Sequence, residues 1–333
     1  MRRVVCRAFG PVEDLETVEE SDPVPGPGEV LVEVEAAGVG FVDALIVRGG
    51  YQLRPDLPFT PGTTLCGRVA GVGADVGSTA VGSPAVGSPA VGHRVAALVM
   101  DFGAHTSHVT LPAGRVAAVP DGVDPAIAAT ALESYSTLLF AVTHRVPVEP
   151  GDHVVVLGAG GGIGLAAVDV ARSRGAHVVA VASSEEKQRA ALAAGAEHAV
   201  GYEDLKNEIR RLTGGGAHLV VDPVGGAASE SALRALRPYG RFAVLGFTSG
   251  EIPKLPANVV LIGNHAVVGV DWGDWARTDP DAATALVADL LARVARGELR
   301  PPRPALRRLD EAGDALALFA RRAVTGKIAL VPG

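Results

Sequence analysis

A glycine-rich stretch near the middle of the chain has the composition and setting of a dinucleotide-binding loop. Gly158-Ala-Gly-Gly-Gly-Ile-Gly164 follows the uncharged, β-branched run from His153 to Leu157, and small and apolar residues in a helical pattern follow it. A strand that leads through glycines into a helix presents backbone N–H groups at the positive end of the helix dipole, where a pyrophosphate binds. The run from His177 to Ala182 supplies the next strand. We therefore predict cofactor contacts from Gly160, Gly161, Gly162, Ile163 and Gly164.

The residues after the second strand bear on which nicotinamide cofactor is used. A site that prefers NAD places Asp or Glu at the end of this strand, against the ribose hydroxyls. Here the strand ends in Ala182-Ser183-Ser184, which is small and neutral, and Lys187 follows within one helical turn. Lys187 is equally well interpreted as a solvated helix residue. Because Ser183 leaves room for a 2′-phosphate and Lys187 offers it a cation, the sequence favours NADPH over NADH.

Composition narrows the class of protein that must position these residues. The chain has 333 residues, 48% of them apolar and 20% charged, which is enough for two globular domains. A net charge of −7 argues against nucleic acid as the main partner. We see no apolar run of membrane-spanning length and no leader segment, so we expect a cytosolic protein without a membrane partner. Cys6 and Cys66 are too few for a disulfide framework or a four-cysteine zinc site.

The two halves of the chain differ in pattern. Residues 1–122 have the pattern of short strands separated by Gly/Pro turns, which predicts a β-rich domain. We expect residues 268–333 to complete this domain. Residues 123–267 alternate strands with helices, which predicts a doubly wound parallel sheet. The segment from Val76 to Gly92 repeats a unit of five small residues, Val-Gly-Ser-Pro-Ala or close to it, and we interpret it as a surface loop.

Six short motifs, in this order, make the chain resemble the medium-chain dehydrogenase/reductase superfamily and, within it, the zinc-independent NADPH:quinone oxidoreductases. They are Gly26-Pro-Gly-Glu-Val-Leu-Val32, Ala37-Gly-Val-Gly-Phe-Val-Asp43, Pro58-Phe-Thr-Pro-Gly62, Gly158 to Gly164, Val221-Asp-Pro-Val-Gly-Gly226 and Gly240-Arg-Phe-Ala-Val-Leu-Gly246. The resemblance implies an α/β protein made of a GroES-like catalytic domain and a Rossmann NADPH-binding domain.

The resemblance also implies roles for individual residues. Tyr202 would join Ser183 and Lys187 in binding the 2′-phosphate. The nicotinamide end and its surroundings would be lined by residues from several segments, namely Thr137, Val224, Gly225, Gly226, Leu245, Gly246, Phe247, Thr248 and Lys327. For each of these residues, plain packing or turn geometry is an alternative explanation.

The substrate side is expected to carry no metal. Zinc-dependent relatives have a cysteine where this chain has Gly40, a His-Glu pair where it has Thr63-Thr64, and another ligand near Glu133. Neither glycine nor threonine is a good zinc ligand. Phe41, Asp43 and Tyr51 are the candidate substrate-pocket residues, with Tyr51 acting as an aromatic wall or as a proton donor. Family members commonly have Asn at position 40, so Gly40 removes a polar contact.

These observations predict an NADPH-dependent reductase of quinones or similar conjugated carbonyl compounds. The first alternative is an NADPH-dependent reductase of the C=C bond in enals, enones or enoyl thioesters, and the second is a non-catalytic NADPH-binding protein. The resemblance further implies a homodimer, and Asn264-His-Ala-Val-Val-Gly-Val270 has the short, apolar character of the sheet edge that would join two copies.

Overall fold

The computed structural model describes residues 1–77, 89–321 and 323–333. These residues form two compact units. The terminal unit comprises residues 1–133, 275–297 and 303–333, and the central unit comprises residues 134–274 and 298–302. Most of the repeat between Val76 and Gly92 falls outside the described residues, so its interpretation as a surface loop stays a prediction.

The terminal unit is β-rich, as expected. Its strands are β1 (Arg2–Val5), β2 (Glu16–Glu19), β3 (Glu29–Val39), β4 (Thr64–Val72), β5 (Arg94–Leu98), β6 (His108–Pro112), β7 (Val116–Ala118), β14 (Ala305–Arg308) and β15 (Ile328–Val331). One sheet has the order β14-β15-β3-β4-β5-β7, with β6 also paired to β3, while β1 and β2 form a separate ribbon. Along β3, Val30, Val32 and Val34 are buried at alternate positions, so one face of this central strand packs into the core.

Helices cover this sheet and complete the terminal unit. They are α1 (Phe41–Val47), the first part of α2 (Pro125–Phe140), α9 (Pro280–Ala295) and α10 (Ala312–Ala320), with single 3₁₀ turns at Val12–Asp14, Ala113–Arg115 and Leu309–Glu311. Helix α1 follows β3 almost directly, since only Gly40 separates them. Gly40 is its extended N-cap residue, and the Asp43 carboxylate accepts a hydrogen bond from the Gly40 N–H at 2.8 Å.

The central unit is a parallel sheet between helices. Its strands are β8 (His153–Leu157), β9 (His177–Val181), β10 (His198–Val200), β11 (Ala217–Asp222), β12 (Leu236–Val244) and β13 (Ala266–Gly269). Its helices are α3 (Gly162–Ser173), α4 (Glu185–Ala193), α5 (Leu205–Leu212), α6 (Ala227–Leu233) and α7 (Ala257–Gly263). The strand order β10-β9-β8-β11-β12-β13, all parallel, confirms the predicted doubly wound sheet.

Two of the four divisions between the units fall inside helices, at residue 133 within α2 and at residue 274 within α8 (Trp272–Thr278). The other two, at residues 297 and 302, fall between α9 and β14. The sequence predicted boundaries at residues 122 and 267. A helix gives no compositional sign of where its packing partners change, so the divisions within α2 and α8 could not be located from the sequence.

Helix α2 continues into a π turn at Ala141–Arg145. The combined stretch Pro125–Arg145 is long and apolar enough to cross a membrane, contrary to the expectation that no such run exists. However, 78% of its most apolar window is buried inside the protein, which is the environment of a core helix.

A buried carboxylate ties together three segments of the central unit. Asp169 on α3 accepts hydrogen bonds from the Tyr135 hydroxyl at 3.0 Å, from Arg172 at 2.6 Å and from the Arg300 N–H at 2.5 Å. Burial and the Asp169 charge raise the pKa of Tyr135 well above its usual value, so its hydroxyl stays a donor. The network fixes α3, whose N-terminus forms the site described next.

Candidate cofactor site

The glycine loop packs so closely against α3 that a side chain is excluded. A Cβ on Gly164 would lie 2.2 Å from the Gly158 carbonyl oxygen and 2.6 Å from Ala159 Cα. Both neighbours are backbone atoms, which cannot turn aside as a flexible side chain can. Gly158 itself has a φ of +62°, a conformation that favours glycine. The two glycines therefore hold the end of β8 against the first turn of α3.

The N-terminus of α3 is built to present backbone donors. Its N-cap residue, Gly161, has no side chain that could cap the helix, and the first turn carries no acidic residue. The Leu165 N–H makes the first intrahelical bond, to the Gly161 oxygen at 2.8 Å. The N–H groups of Gly162, Ile163 and Gly164 precede that bond, and they lie at the positive end of a twelve-residue helix dipole. This arrangement suits a pyrophosphate.

Lys187 lies directly against this loop. A Cβ on Gly160 would be only 2.4 Å from Lys187 Cβ, so the lysine stem packs where Gly160 lacks a side chain. Ser184 is the N-cap residue of α4, and its hydroxyl accepts a hydrogen bond from the Lys187 N–H at 3.3 Å. Ser183 precedes this cap and is exposed. The structure thus brings Ser183, Lys187 and the glycine loop together at the ends of β8 and β9.

Tyr202 reaches the same loop from the segment after β10. Its hydroxyl oxygen accepts a hydrogen bond from the Gly158 N–H at 3.1 Å. Burial raises the pKa of Tyr202, so the phenol stays neutral at physiological pH. The hydrogen bond supports the backbone at the first glycine of the loop, and direct binding of a 2′-phosphate by Tyr202 stays a prediction.

The turn after β11 is held by a single buried carboxylate. One oxygen of Asp222 accepts hydrogen bonds from the N–H groups of Val224 at 2.8 Å and Gly225 at 2.9 Å, and the other accepts from the Ser229 hydroxyl at 2.5 Å. Sequence reasoning assigned no role to Asp222. The signal was present, since an Asp that starts a Pro- and Gly-rich turn commonly accepts hydrogen bonds from the residues that follow it.

The predicted nicotinamide segments lie next to one another. Thr248 donates to the Pro223 oxygen both from its hydroxyl, at 3.0 Å, and from its N–H, at 3.1 Å. A Cβ on Gly225 would lie 2.6 Å from the Glu251 oxygen and 3.1 Å from the Phe247 ring, so packing already requires this glycine. The Gly246 to Thr248 segment therefore adjoins Val224 and Gly225. Thr137 is half-buried on the part of α2 that belongs to the central unit.

The remaining predicted residues belong to the terminal unit. Phe41 and Asp43 lie on α1, and Tyr51 is half-buried against the core of that unit. Lys327 precedes β15, and its Nζ lies 3.6 Å from Glu133 Oε2. The cofactor candidates thus lie in the central unit except for Lys327, which lies in the terminal unit with the substrate-pocket candidates.

Glu133 fills the space beside Gly40. A Cβ on Gly40 would lie 2.8 Å from Glu133 Oε2 and 3.4 Å from Asp43 Oδ2. Burial, followed by the negative charge of Glu133, raises the pKa of Asp43 to about 7. The sequence pointed to Glu133 only as a neighbour of a zinc-ligand position in relatives, although it is the one charged residue between Pro125 and Phe140. The missing side chain at position 40 is explained by a carboxylate that arrives from α2.

Two domain families match the two parts of the chain. The alcohol dehydrogenase GroES-like domain family matches residues 26–121, and the zinc-binding dehydrogenase family matches residues 162–289. Quinone oxidoreductase-like protein 2 from Rattus norvegicus is 35% identical over 319 residues, which cover 94% of this chain and 88% of that protein. The chain belongs to the quinone oxidoreductase family of the medium-chain dehydrogenases/reductases. It is thus an oxidoreductase with the predicted GroES-like and Rossmann architecture.

Solved structures support this assignment. Escherichia coli quinone oxidoreductase, solved in complex with NADPH, superposes with a TM-score of 0.88 at 26% identity and covers 100% of both chains. An NAD-dependent alcohol dehydrogenase superposes with a TM-score of 0.85 at 31% identity, again over 100% of both chains. The NADPH complex supports the predicted binding of NADPH, although the same fold also includes a protein described as NAD-dependent.

The histidines of the terminal unit have local partners in this oxidoreductase. His105 is fully buried, its Nε2 lies 3.0 Å from the Gly38 oxygen, and burial lowers its pKa to about 4. The His108 ring contacts the Ser107 hydroxyl at 3.1 Å. Within residues 1–77, 89–321 and 323–333, no three His, Cys, Asp or Glu side chains are grouped so that they could hold a metal ion. The expected independence from zinc stays a prediction.

The packing at Gly164 predicts that Gly164→Ala destabilises the protein. The new methyl group would overlap the backbone of Gly158 and Ala159, and overpacking costs about 1–3 kcal/mol, which exceeds the gain of about 0.5–1 kcal/mol in helix propensity. Chemical denaturation should show the net loss. Gly161→Ala is the matched control, because its Cβ would meet the Gly158 oxygen at an ordinary 3.5 Å and its backbone is extended. Equal stability of the two variants would contradict the packing argument.

Proposed function

We propose that this oxidoreductase uses NADPH to reduce quinones or similar conjugated carbonyl compounds. The observation that carries the cofactor choice is the contact of Lys187 with Gly160, beside a strand end that carries no acidic residue. An acidic side chain at that strand end would repel a 2′-phosphate, whereas Ser183 accommodates it and Lys187 attracts it. The NADPH complex of the related Escherichia coli quinone oxidoreductase supports the same choice.

The residues of the central unit fit the cofactor piece by piece. The N–H groups of Gly162, Ile163 and Gly164 would bind the pyrophosphate, and Lys187 with Ser183 would bind the 2′-phosphate. The turn held by Asp222 would place Val224 and Gly225 beside the nicotinamide, with Gly246, Phe247 and Thr248 on the adjoining segment. NADPH supplies the hydride, while the protein binds and orients the reactants and excludes water.

The acceptor class follows from the chemistry available at position 40. A zinc ion stabilises the alkoxide in alcohol dehydrogenation, and it needs strong ligands such as Cys or His. Gly40, Thr63 and Thr64 offer no such ligand, so we propose that this enzyme works without zinc. Quinones and conjugated carbonyls accept a hydride into an extended π system, which spreads the developing charge without a metal ion. The relation to quinone oxidoreductase-like protein 2 supports this substrate class.

Turnover of a substrate panel tests the proposed function. Purified enzyme should oxidise NADPH with quinones, and it should retain that activity after exhaustive chelation. Enals, enones and enoyl-CoA esters form the second arm, because exclusive activity on them would make the enzyme a C=C reductase. An ordinary secondary alcohol with NAD⁺ forms the third arm. Binding of NADPH without turnover of any acceptor would identify a non-catalytic binding protein, and loss of activity on zinc removal would refute independence from zinc.

The position of Lys187 predicts a cofactor-specific kinetic effect. A charge-assisted contact contributes about 1.5–3 kcal/mol, so Lys187→Ala should raise the KM for NADPH by about tenfold to a hundredfold and leave the KM for NADH nearly unchanged. Ser183→Asp should shift the preference toward NADH, because the carboxylate repels the phosphate and accepts hydrogen bonds from ribose. Steady-state kinetics with each cofactor measure both effects. An equal rise of the two KM values in Lys187→Ala would place the phosphate elsewhere.

We further propose that two copies associate through the β13 edge of the central sheet. β13 is the outermost strand on its side, and every residue of the adjoining helix α7 is at least partly exposed. Leu261 and Ile262 on α7 are 77% and 80% exposed, and Val267 on β13 is 42% exposed. An apolar patch beside an open sheet edge is suited to a second copy of the chain.

This proposal predicts a dimer that depends on the α7 patch. Light scattering at micromolar concentration should give twice the mass of the chain, and Ile262→Lys should reduce it to the monomer mass. Val24→Lys is the control, since Val24 is 86% exposed in the terminal unit and lies far from α7 in the sequence. A monomeric wild-type protein, or a dimer that tolerates Ile262→Lys, would refute the edge interface.

A further inference from the structure

Two carboxyl groups of the terminal unit converge on one point. The position that a Cβ of Gly40 would occupy lies 2.8 Å from Glu133 Oε2 and 3.4 Å from Asp43 Oδ2. Asp43 comes from α1 and Glu133 from α2, so folding alone brings these groups together. Two carboxylates this close repel each other, and a proton bound by one of them relieves that repulsion.

The surroundings of Asp43 favour its protonated form. Asp43 is 3% exposed, and its Oδ2 accepts a hydrogen bond from the Gly40 N–H. The Gly62 N–H also acts on the carboxyl group and, like the Gly40 N–H, lowers its pKa, but burial has the larger effect and raises it. Its buried Oδ1 has no well-formed hydrogen-bond partner among the described residues. A buried carboxylate oxygen without a partner is costly, whereas a protonated carboxyl group can direct its O–H toward a neighbouring acceptor.

Lys327 balances the remaining negative charge. Its Nζ lies 3.6 Å from Glu133 Oε2, and its side chain is 11% exposed. With Asp43 protonated, Glu133 and Lys327 form a neutral ion pair, and loss of the proton leaves the cluster with one net negative charge. The charged groups that act on Asp43 are Glu133, which favours protonation, and Lys327, which opposes it.

We propose that Asp43 and Glu133 together hold one exchangeable proton in the folded protein, so that the protein gains stability as the pH falls from 7 toward 5. When the proton leaves, the Asp43 O–H bond breaks and solvent takes up the proton, while Glu133 and Lys327 remain as an ion pair. The proposal does not depend on the identity of the acceptor.

The first test measures the bound proton without any turnover. Because the pKa of Asp43 is raised to about 7 in the folded protein, its contribution to stability is fully present below its unfolded-state pKa of about 3.9 and is lost as the pH rises through about 7. The equilibrium constant for unfolding of wild type, divided by that of Asp43→Asn, should therefore rise between pH 5 and pH 7. Release of one proton on unfolding makes this ratio rise by up to about tenfold for each pH unit. Asp121→Asn, at an exposed position, should track the wild type.

Two charge variants give shifts of opposite sign. Glu133→Gln removes the neighbouring negative charge, so the ratio of unfolding constants should stop rising at a lower pH. Lys327→Met removes the positive charge, so the ratio should stop rising at a higher pH. Because a pair that only packs would show neither shift, these variants decide the question even where Asp43→Asn folds poorly. A flat difference curve, or shifts of the same sign, would overturn the proposal.

Added cations separate a proton from a metal ion. Wild-type melting temperature should not respond to Mg²⁺ or Zn²⁺. A rise in melting temperature that disappears in both Asp43→Asn and Glu133→Gln would show a cation site in place of the proton and would overturn the proposal.

Discussion

The contact between Gly164 and the backbone of Gly158 and Ala159 is the constraint on which the cofactor site depends. It brings the end of β8 against the first turn of α3. The N–H groups of Gly162, Ile163 and Gly164, which precede the first intrahelical hydrogen bond, therefore lie next to the glycine loop. Lys187 then packs over Gly160, and Tyr202, from the segment after β10, accepts a hydrogen bond from the Gly158 N–H. A side chain at Gly164 or Gly160 would clash with these neighbours, and Gly158 has a positive φ that favours glycine. The loop is therefore rigid before any ligand binds, and a pre-organised site loses less entropy on binding.

The second group of polar residues is assembled in a different way. Gly40, Asp43, Glu133 and Lys327 come from three segments that are far apart in the sequence. Each of them alone has an ordinary structural explanation: a helix cap, a helix residue or a charged strand start. Only their convergence beside Gly40 gives Asp43 a pKa of about 7, because burial and the Glu133 charge act on the same carboxyl group.

This contrast explains how far the sequence could predict the structure. The parallel sheet, the glycine loop and the neighbourhood of Lys187 were predictable, because strand, loop and helix are consecutive and their periodicities are strong. Glu133 was not, since its significance depends on the absent side chain of Gly40 about ninety positions earlier. The clamp at Asp222 lies between these cases, being local in sequence but easily passed over as part of a turn. The change of units within α2 gave no signal, because the helix continues through it without a break.

Direct binding of the two reduced cofactors to the wild-type enzyme is the most immediate test of the central claim, because it needs no knowledge of the acceptor. Titration calorimetry with NADPH and with NADH, at one ionic strength, measures what the neutral strand end and Lys187 contribute together. The structure predicts a Kd for NADPH at least about tenfold lower than the Kd for NADH, and a preference that weakens as salt screens the phosphate. Equal affinities, or tighter binding of NADH, would contradict the account.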